Sequence, residues 1–386
     1  MPAYFDHNAT TPLLPAAREA WLEATDRYWQ NASGLYREAG AVKRKLEEAR
    51  EELAEILGTE PERILFTSGA TESNNALLYQ LSRTQPDGKV LSSSVEHPSV
   101  REPLKRCFGN HVKPIPVLAD TTLDEEAFQQ LLKTESWTLV SAMAANNECG
   151  TLLPWKKLAH ACREQGIPFH CDASQWIGKL PAADFGICDY VTGSAHKFGG
   201  PKGMGFLVMQ DEEETLSFLT GGPQEEGRRA GTENYPAIAA MIAALKETCE
   251  LSPTIADQQS AWRDQFANNL VSKFPGARII GAAAPRLWNT VMLVLPKHDN
   301  RKWLARLSDR GFAISTGSAC SAGQDGSSVV LHSLGADHDE MRRVVRVSSG
   351  WTTTEQDWAD LEHAFIQVSN ELDNAPLQRE KIRIKL

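Results

Sequence analysis

No stretch of the 386-residue chain stays apolar for the roughly 18 residues that a membrane span requires, and mean hydropathy is −0.36. No C-x-x-C pair occurs among the seven cysteines (107, 149, 162, 171, 188, 249 and 320), so no zinc or dithiol redox site is expected. The count is odd and the spacing scattered, which fits thiols kept reduced. The first residues, MPAYFDHNATTP, carry no basic stretch followed by an apolar one. A cytoplasmic protein is expected. Basic charge is in deficit: 40 Lys and Arg stand against 50 Asp and Glu, a net −10. Such a chain has no general attraction to phosphate backbones or anionic lipid, so neither nucleic acid nor membrane is an expected partner. Internal repeats and low-complexity linkers are also missing.

What is present is ordinary globular material, 41% hydrophobic and 23% charged. Val42, Leu46, Ala49, Leu53, Ile56 and Leu57 recur at helical spacing and end at Gly58, a C-cap signal. Short buried-strand patterns then alternate with helical ones: strands are expected near 64–66, 90–92, 137–143, 167–171, 190–192 and 206–209, with helices at 72–83 and 155–164. That alternation predicts an α/β domain built on a mainly parallel sheet. After about residue 255 the pattern becomes a helix at 256–274, short strands and a closing helix marked by Trp358, Leu361, Phe365, Val368 and Leu372. The expected organisation is a large domain at 15–255 and a smaller α+β domain formed by 1–14 with 256–386.

Four segments carry chemistry. In Ser194-Ala195-His196-Lys197-Phe198-Gly199-Gly200, a lysine stands among small residues between a buried strand and a Gly-Pro turn. That context suits a lysine held in a pocket for carbonyl chemistry better than a solvated charge. Asp172 follows another strand pattern, and open α/β sheets bind ligands at the carboxyl ends of their strands. A carboxylate there can keep a pyridine nitrogen protonated. Thr67-Ser68-Gly69-Ala70-Thr71-Glu72-Ser73 links a strand to a helix and offers backbone N–H groups to a phosphate without being a P-loop. Lastly, Cys320 lies in Ser318-Ala319-Cys320-Ser321, amid Gly, Ser and Ala, where a nucleophilic thiol would have access.

Together these segments resemble the pyridoxal-phosphate-dependent cysteine desulfurases of the class V aminotransferase superfamily, over nearly the whole chain. Further matching segments are Tyr4–Pro12 (YFDHNATTP), Glu96-His97, Asn146-Asn147-Glu148, Asp172-Ala173-Ser174-Gln175, Arg229–Asn234 (RAGTEN) and Arg346–Gly350 (RVSSG). The resemblance implies the type I fold of pyridoxal-phosphate transferases and conversion of L-cysteine to L-alanine. The sulfur would pass to Cys320 as a persulfide, and then to an acceptor protein of iron–sulfur cluster assembly or thiolation. It implies that Lys197 holds pyridoxal 5′-phosphate and moves the Cα proton, that His97 covers the ring and acts as acid and base, and that Asp172 and Gln175 bind the ring nitrogen and phenolic oxygen. Ala70, Thr71, Ser194 and His196 would cradle the phosphate, with Thr232 arriving from the second subunit of a homodimer. Asn147 would contact cofactor and substrate, and Arg346 the substrate carboxylate. A selenocysteine lyase, or another class V lyase or transaminase, is the nearest alternative. A non-catalytic scaffold is disfavoured by the presence of Lys197, Asp172, His97 and Arg346 together.

Overall fold

The computed structural model describes residues 3–211, 218–317 and 328–374. Strand β1 (Ala3–Tyr4) is followed by helices α1 (Pro15–Arg27) and α2 (Arg37–Leu57). Then come β2 (Ile64–Thr67), α3 (Ala70–Thr84), β3 (Val90–Ser93), α4 (Pro98–Phe108), β4 (Val112–Ile115), α5 (Glu125–Leu132), β5 (Leu139–Ser141), α6 (Trp155–Glu164), β6 (Phe169–Asp172), β7 (Tyr190–Ser194) and β8 (Gly205–Val208). The 39-residue α7 (Tyr235–Lys273) leads to β9 (Arg278–Ile279), β10 (Thr290–Val294), α8 (Asn300–Asp309), β11 (Phe312–Ala313), α9 (Val329–Ser333), α10 (His338–Met341), β12 (Val344–Ser348) and α11 (Glu355–Asn374).

Seven strands form the large sheet in the order β2-β8-β7-β6-β5-β3-β4. Strand β8 pairs antiparallel with both β2 and β7, and the remaining pairs are parallel. All its strands except β8 therefore point the same way, and their carboxyl ends share one edge. Strands β5, β6 and β7 are buried along their whole length, as a parallel sheet covered on both faces requires. A second sheet, β12-β10-β9, has its own core of Phe266, Leu270, Val291, Leu293, Trp303, Val345, Val347, Trp358, Leu361 and Phe365. Phe5 joins that core, and β1 pairs with β11, so the start of the chain packs with its last third.

Helix α2 buries the stripe read from the sequence except Ile56, which is half-buried, and Gly58 closes it in the left-handed region at φ 67°. A Cβ there would lie 1.9 Å from the Ala183 carbonyl oxygen, so only glycine fits. Helix α7 differs from expectation: it starts at Tyr235 rather than 256 and runs through Pro253. Its first half buries Ala237, Ile238, Ala240, Met241, Ile242, Ala244 and Leu245, and a helix buried on nearly every side shows no amphipathic stripe. Strand β4 carries no strand signal in the sequence because Pro114 lies within it, a residue tolerated there because β4 is the sheet's edge.

Burial also sets the response to acid. His7, His170 and His196 are each pushed down to about 4, chiefly by burial. A histidine whose folded pKa lies below its unfolded value near 6.5 contributes stability above that pH and loses it as pH falls toward 4. Glu96, pushed up to about 8 by burial, works the other way, and its contribution is lost as pH rises from about 4.5 through 8. Stability is therefore expected to rise from pH 4.5 to about 6.5. Between pH 4.5 and 6.5, unfolding is expected to take up protons on balance, because the lowered imidazoles, His97 among them, outnumber the raised carboxyls of Glu96 and Glu148. Urea unfolding followed across pH 4.5–8 checks this, and a midpoint unchanged from 6.5 down to 4.5 would contradict it.

Candidate active site

The loops leaving the carboxyl ends of β2, β3, β5, β6 and β7 close around a cavity of about 200 Å³. Ala70, Thr71, His97, Asn147, Asp172, Gln175, Ser194, His196 and Lys197 all line it. They come from segments more than a hundred residues apart, and the parallel sheet is what gathers them. A neighbouring open cleft of about 370 Å³ shares Thr71, Ser194 and His196 and extends past Ser68, Gly69 and Lys202.

Lys197 ends the short turn after β7. Its Nζ donates to the carbonyls of Asn8 (2.6 Å) and Ala9 (2.8 Å), so the turn at 7–9 fixes the amine at the cavity wall. Asp172 is the last residue of β6 and is 5% exposed. Its Oδ1 accepts from the Ser174 N–H (3.0 Å) and its Oδ2 from Asn74 Nδ2 (3.3 Å), but it forms no ion pair among the described residues. A buried carboxylate paired only with neutral donors is poised for a cationic ligand.

His97 caps α4. Its Nδ1 accepts from the Ser99 N–H (3.1 Å) and lies 2.8 Å from Ser99 Oγ, which itself accepts from Asn74 Nδ2 at 3.0 Å. Two donors at Nδ1 leave the ring proton on Nε2. Burial, helped by the Lys197 and Arg101 charges and opposed by Asp172, lowers the imidazole's pKa and keeps it neutral.

Helix α3 starts beside the cavity with no side-chain cap, and the Ala70 N–H donates to Ser194 Oγ at 2.9 Å. An uncapped first turn presents backbone donors and the positive end of the helix dipole. Gly69, at φ 145°, brings the backbone close to Ser194, where a Cβ would sit 3.2 Å from the hydroxyl. Ser174 Oγ lines the same cavity, buried without a hydrogen-bond partner among the described residues.

Two expected residues lie elsewhere in the chain's own fold. Thr232 is exposed and lines a separate cleft of about 220 Å³ with Thr67, Ser68 and Gly203, although Arg229 pairs with Glu72 of α3 at 2.9 Å. Arg346 is buried behind Asn147, whose carbonyl accepts from Nη1 at 3.0 Å, while Nη2 pairs with Asp6 at 2.6 Å. Nη1 also reaches the Gly317 carbonyl at 3.4 Å, and buried Glu148 accepts from Ser328 Oγ and the Val329 N–H. The residues on either side of 318–327 thus rest against the turn that bears Asn147. Cys320 itself lies outside the described residues.

Sequence reasoning gave no role to Asn8, Asn74, Ser99 or Lys179. Asn8 sits inside a segment singled out by its motif, but nothing marks its carbonyl as the shared acceptor for Lys197 and for Gln175 Nε2 (2.9 Å). Lys179, four residues after Gln175, carries no signal of being buried.

Among known proteins, the family described as "Aminotransferase class-V" matches residues 3–361. A cysteine desulfurase of Enterobacter agglomerans is 36% identical over 371 residues, covering 92% of this chain and 90% of its own. An IscS-like cysteine desulfurase of Mycobacterium tuberculosis (strain ATCC 25618 / H37Rv) is 33% identical over 367 residues, covering 92% and 93%. The solved structure of a NifS-like protein superimposes with a TM-score of 0.86 at 29% identity, over 97% of this chain and all of that one. Sequence match, fold and the ordered convergence of its segments agree: the chain belongs to the class V aminotransferase family.

Proposed function

We propose that this protein is a pyridoxal-phosphate-dependent cysteine desulfurase that converts L-cysteine to L-alanine and takes the sulfur onto Cys320. The observation that carries the reading is the buried Asp172 carboxylate, lacking an ion-pair partner among the described residues, in one cavity with the Lys197 amine and next to the uncapped start of α3. Carboxylate, amine and anion-binding helix turn are the three features that pyridoxal 5′-phosphate needs, for its ring nitrogen, its aldehyde and its phosphate.

The residues present therefore fit the cofactor. Ala70, Thr71, Ser194 and His196 would hold its phosphate, Asp172 its ring nitrogen, Gln175 its phenolic oxygen, and Lys197 would attach it covalently, with His97 over the ring. When bound, the cofactor withdraws electrons from the substrate's Cα, which makes the Cα–H acidic and the Cβ–S bond breakable. Lys197, freed by the substrate's amine, moves the Cα proton through Nζ. His97 holds an exchangeable proton on Nε2, because Ser99 occupies Nδ1. Asn147, at the cavity wall, would orient the substrate carboxylate, with Arg346 reaching it from behind, where its Nη1 holds the Asn147 carbonyl. The Cys320 thiolate forms a bond to the substrate sulfur as the Cβ–S bond breaks. The electron pair stays with carbon, which takes up a proton and leaves as alanine.

A homodimer is part of this reading. Thr232 is exposed and separate from its own chain's cavity, which suits a residue that completes the neighbour's phosphate site. Trp29 (70% exposed), Leu35 (fully exposed) and Tyr36 (52%) supply apolar surface of the kind that subunit contacts cover. The persulfide then goes to an acceptor protein for iron–sulfur cluster assembly or thiolation, in the cytoplasm.

The test is product analysis. Protein loaded with pyridoxal 5′-phosphate and given L-cysteine and a thiol reductant is expected to release alanine and sulfide in equal amounts. Alanine formed from L-selenocysteine alone, or transfer of the amino group to a keto acid, would overturn the desulfurase assignment.

A further inference from the structure

Lys179 is a buried lysine beside this cavity that the proposed chemistry does not use. It lies just behind the cavity wall, is 1% exposed, and pairs with no carboxylate among the described residues. Its Nζ donates to Gln175 Oε1 at 2.6 Å and, at 3.4 Å, to Asn8 Oδ1. Charged or titratable groups around it are His7, His196, Lys197 and Arg346, none of them anionic. Burying an amine among cations is costly, and surface lysines avoid it. That cost points to a task.

The task follows from the shape of an amide. The two ends of a glutamine carboxamide are nearly the same size, so packing alone does not decide which end faces a ligand. Hydrogen bonds do. On one side of Gln175 stands the Asn8 carbonyl, which only accepts, and Gln175 Nε2 donates to it at 2.9 Å. On the other side stands the Lys179 amine, which donates to Oε1. Both contacts select the same orientation. Gln175 Nε2 and Lys197 Nζ then converge on one oxygen, that of Asn8, and the second N–H of Nε2 remains for the cavity.

We propose that Lys179 is a positioning residue that acts through Gln175, locking its carboxamide so that N–H, and not C=O, faces the phenolic oxygen of the bound cofactor. The proposal rests on the cavity being a pyridoxal-phosphate site. A donor at that oxygen draws electron density from it and lowers the proton affinity of the nitrogen joining the cofactor to Lys197. With the amide released, that affinity rises.

The experiment is a spectrophotometric pH titration of the holoenzyme's visible band without substrate, for the parent, Lys179→Met, Gln175→Ala and the double variant. Lys179→Met is expected to raise the midpoint by about one pH unit, tenfold in the protonation equilibrium. Gln175→Ala should do the same, and the double variant should match Gln175→Ala alone, because a residue that works through another adds nothing once that other is gone. A Lys179→Met midpoint equal to the parent's, or shifts that add in the double variant, would overturn the proposal while leaving the cofactor site in place. A parent protein that shows no visible band with pyridoxal 5′-phosphate would overturn both. Should Lys179→Met not fold, an atomic-resolution structure of the parent holoenzyme decides: Gln175 Oε1 within 3.2 Å of Lys179 Nζ supports the proposal. A carboxamide turned the other way, or a longer separation, overturns it.

Discussion

Lys197→Ala protein is expected to lose turnover of L-cysteine by at least the roughly 10²–10⁴-fold that a positioned proton-transfer group contributes. Covalent attachment is expected to vanish with it. In the parent, borohydride treatment of the holoenzyme should fix the cofactor's mass on the peptide containing Lys197. The variant should carry no such mass anywhere. Other amines stand close, yet none can substitute. Lys179 is held by Gln175 and Asn8 behind the wall, and Lys202 lines the outer cleft rather than the cavity. The variant should still bind the cofactor non-covalently, because the start of α3, Ser194 and Asp172 do not depend on Lys197. A Lys197→Ala protein that retains borohydride-fixed cofactor would transfer the attachment to another lysine and dismantle the assignment.

Cys320→Ser is the second large effect. The variant should bind the cofactor and L-cysteine as the parent does, since the cavity residues are untouched. Sulfide and alanine production should drop to background, because a serine hydroxyl does not ionise near neutral pH and accepts no sulfur. The remaining cysteines are poor replacements for physical reasons. Cys149, Cys162, Cys171 and Cys188 are buried, and Cys107 and Cys249 are partly so. Burial raises the thiol pKa at Cys149, Cys171 and Cys249, and at Cys162 up to about 12, which keeps the unreactive protonated form. Alanine formation at the parent rate by Cys320→Ser would remove the thiol from the mechanism.

What the sequence disclosed and what it hid follow from the range of each signal. Asp172, Lys197 and the 67–73 segment stand out because each sits at a strand end within a short stretch of unusual composition, and the sheet direction alone brings strand ends together. Arg346 and Thr232 have no such local mark. Thr232 lines a separate cleft and Arg346 lies behind Asn147, placements set by tertiary packing that spacing does not encode. Lys179 is the sharpest omission. A lysine in a Gly-Lys-Leu step reads as surface, and only the packing of Trp288, which donates to the Lys179 carbonyl at 3.0 Å, together with the turn bearing Asn8 reveals that the side chain is enclosed. The helix of 235–273 was hidden for the opposite reason, an apolar first half with no polar face to set a period.

Desulfuration through Cys320 is tested most directly by following one sulfur atom. Holoenzyme exposed briefly to one equivalent of L-cysteine without reductant, then digested and analysed by mass spectrometry, is expected to carry one added sulfur on the peptide containing Cys320. Alanine should appear in matching amount, and the peptides of the other six cysteines should be unchanged. Alanine formed with no sulfur on that peptide, or sulfur found on a different cysteine, would contradict the account.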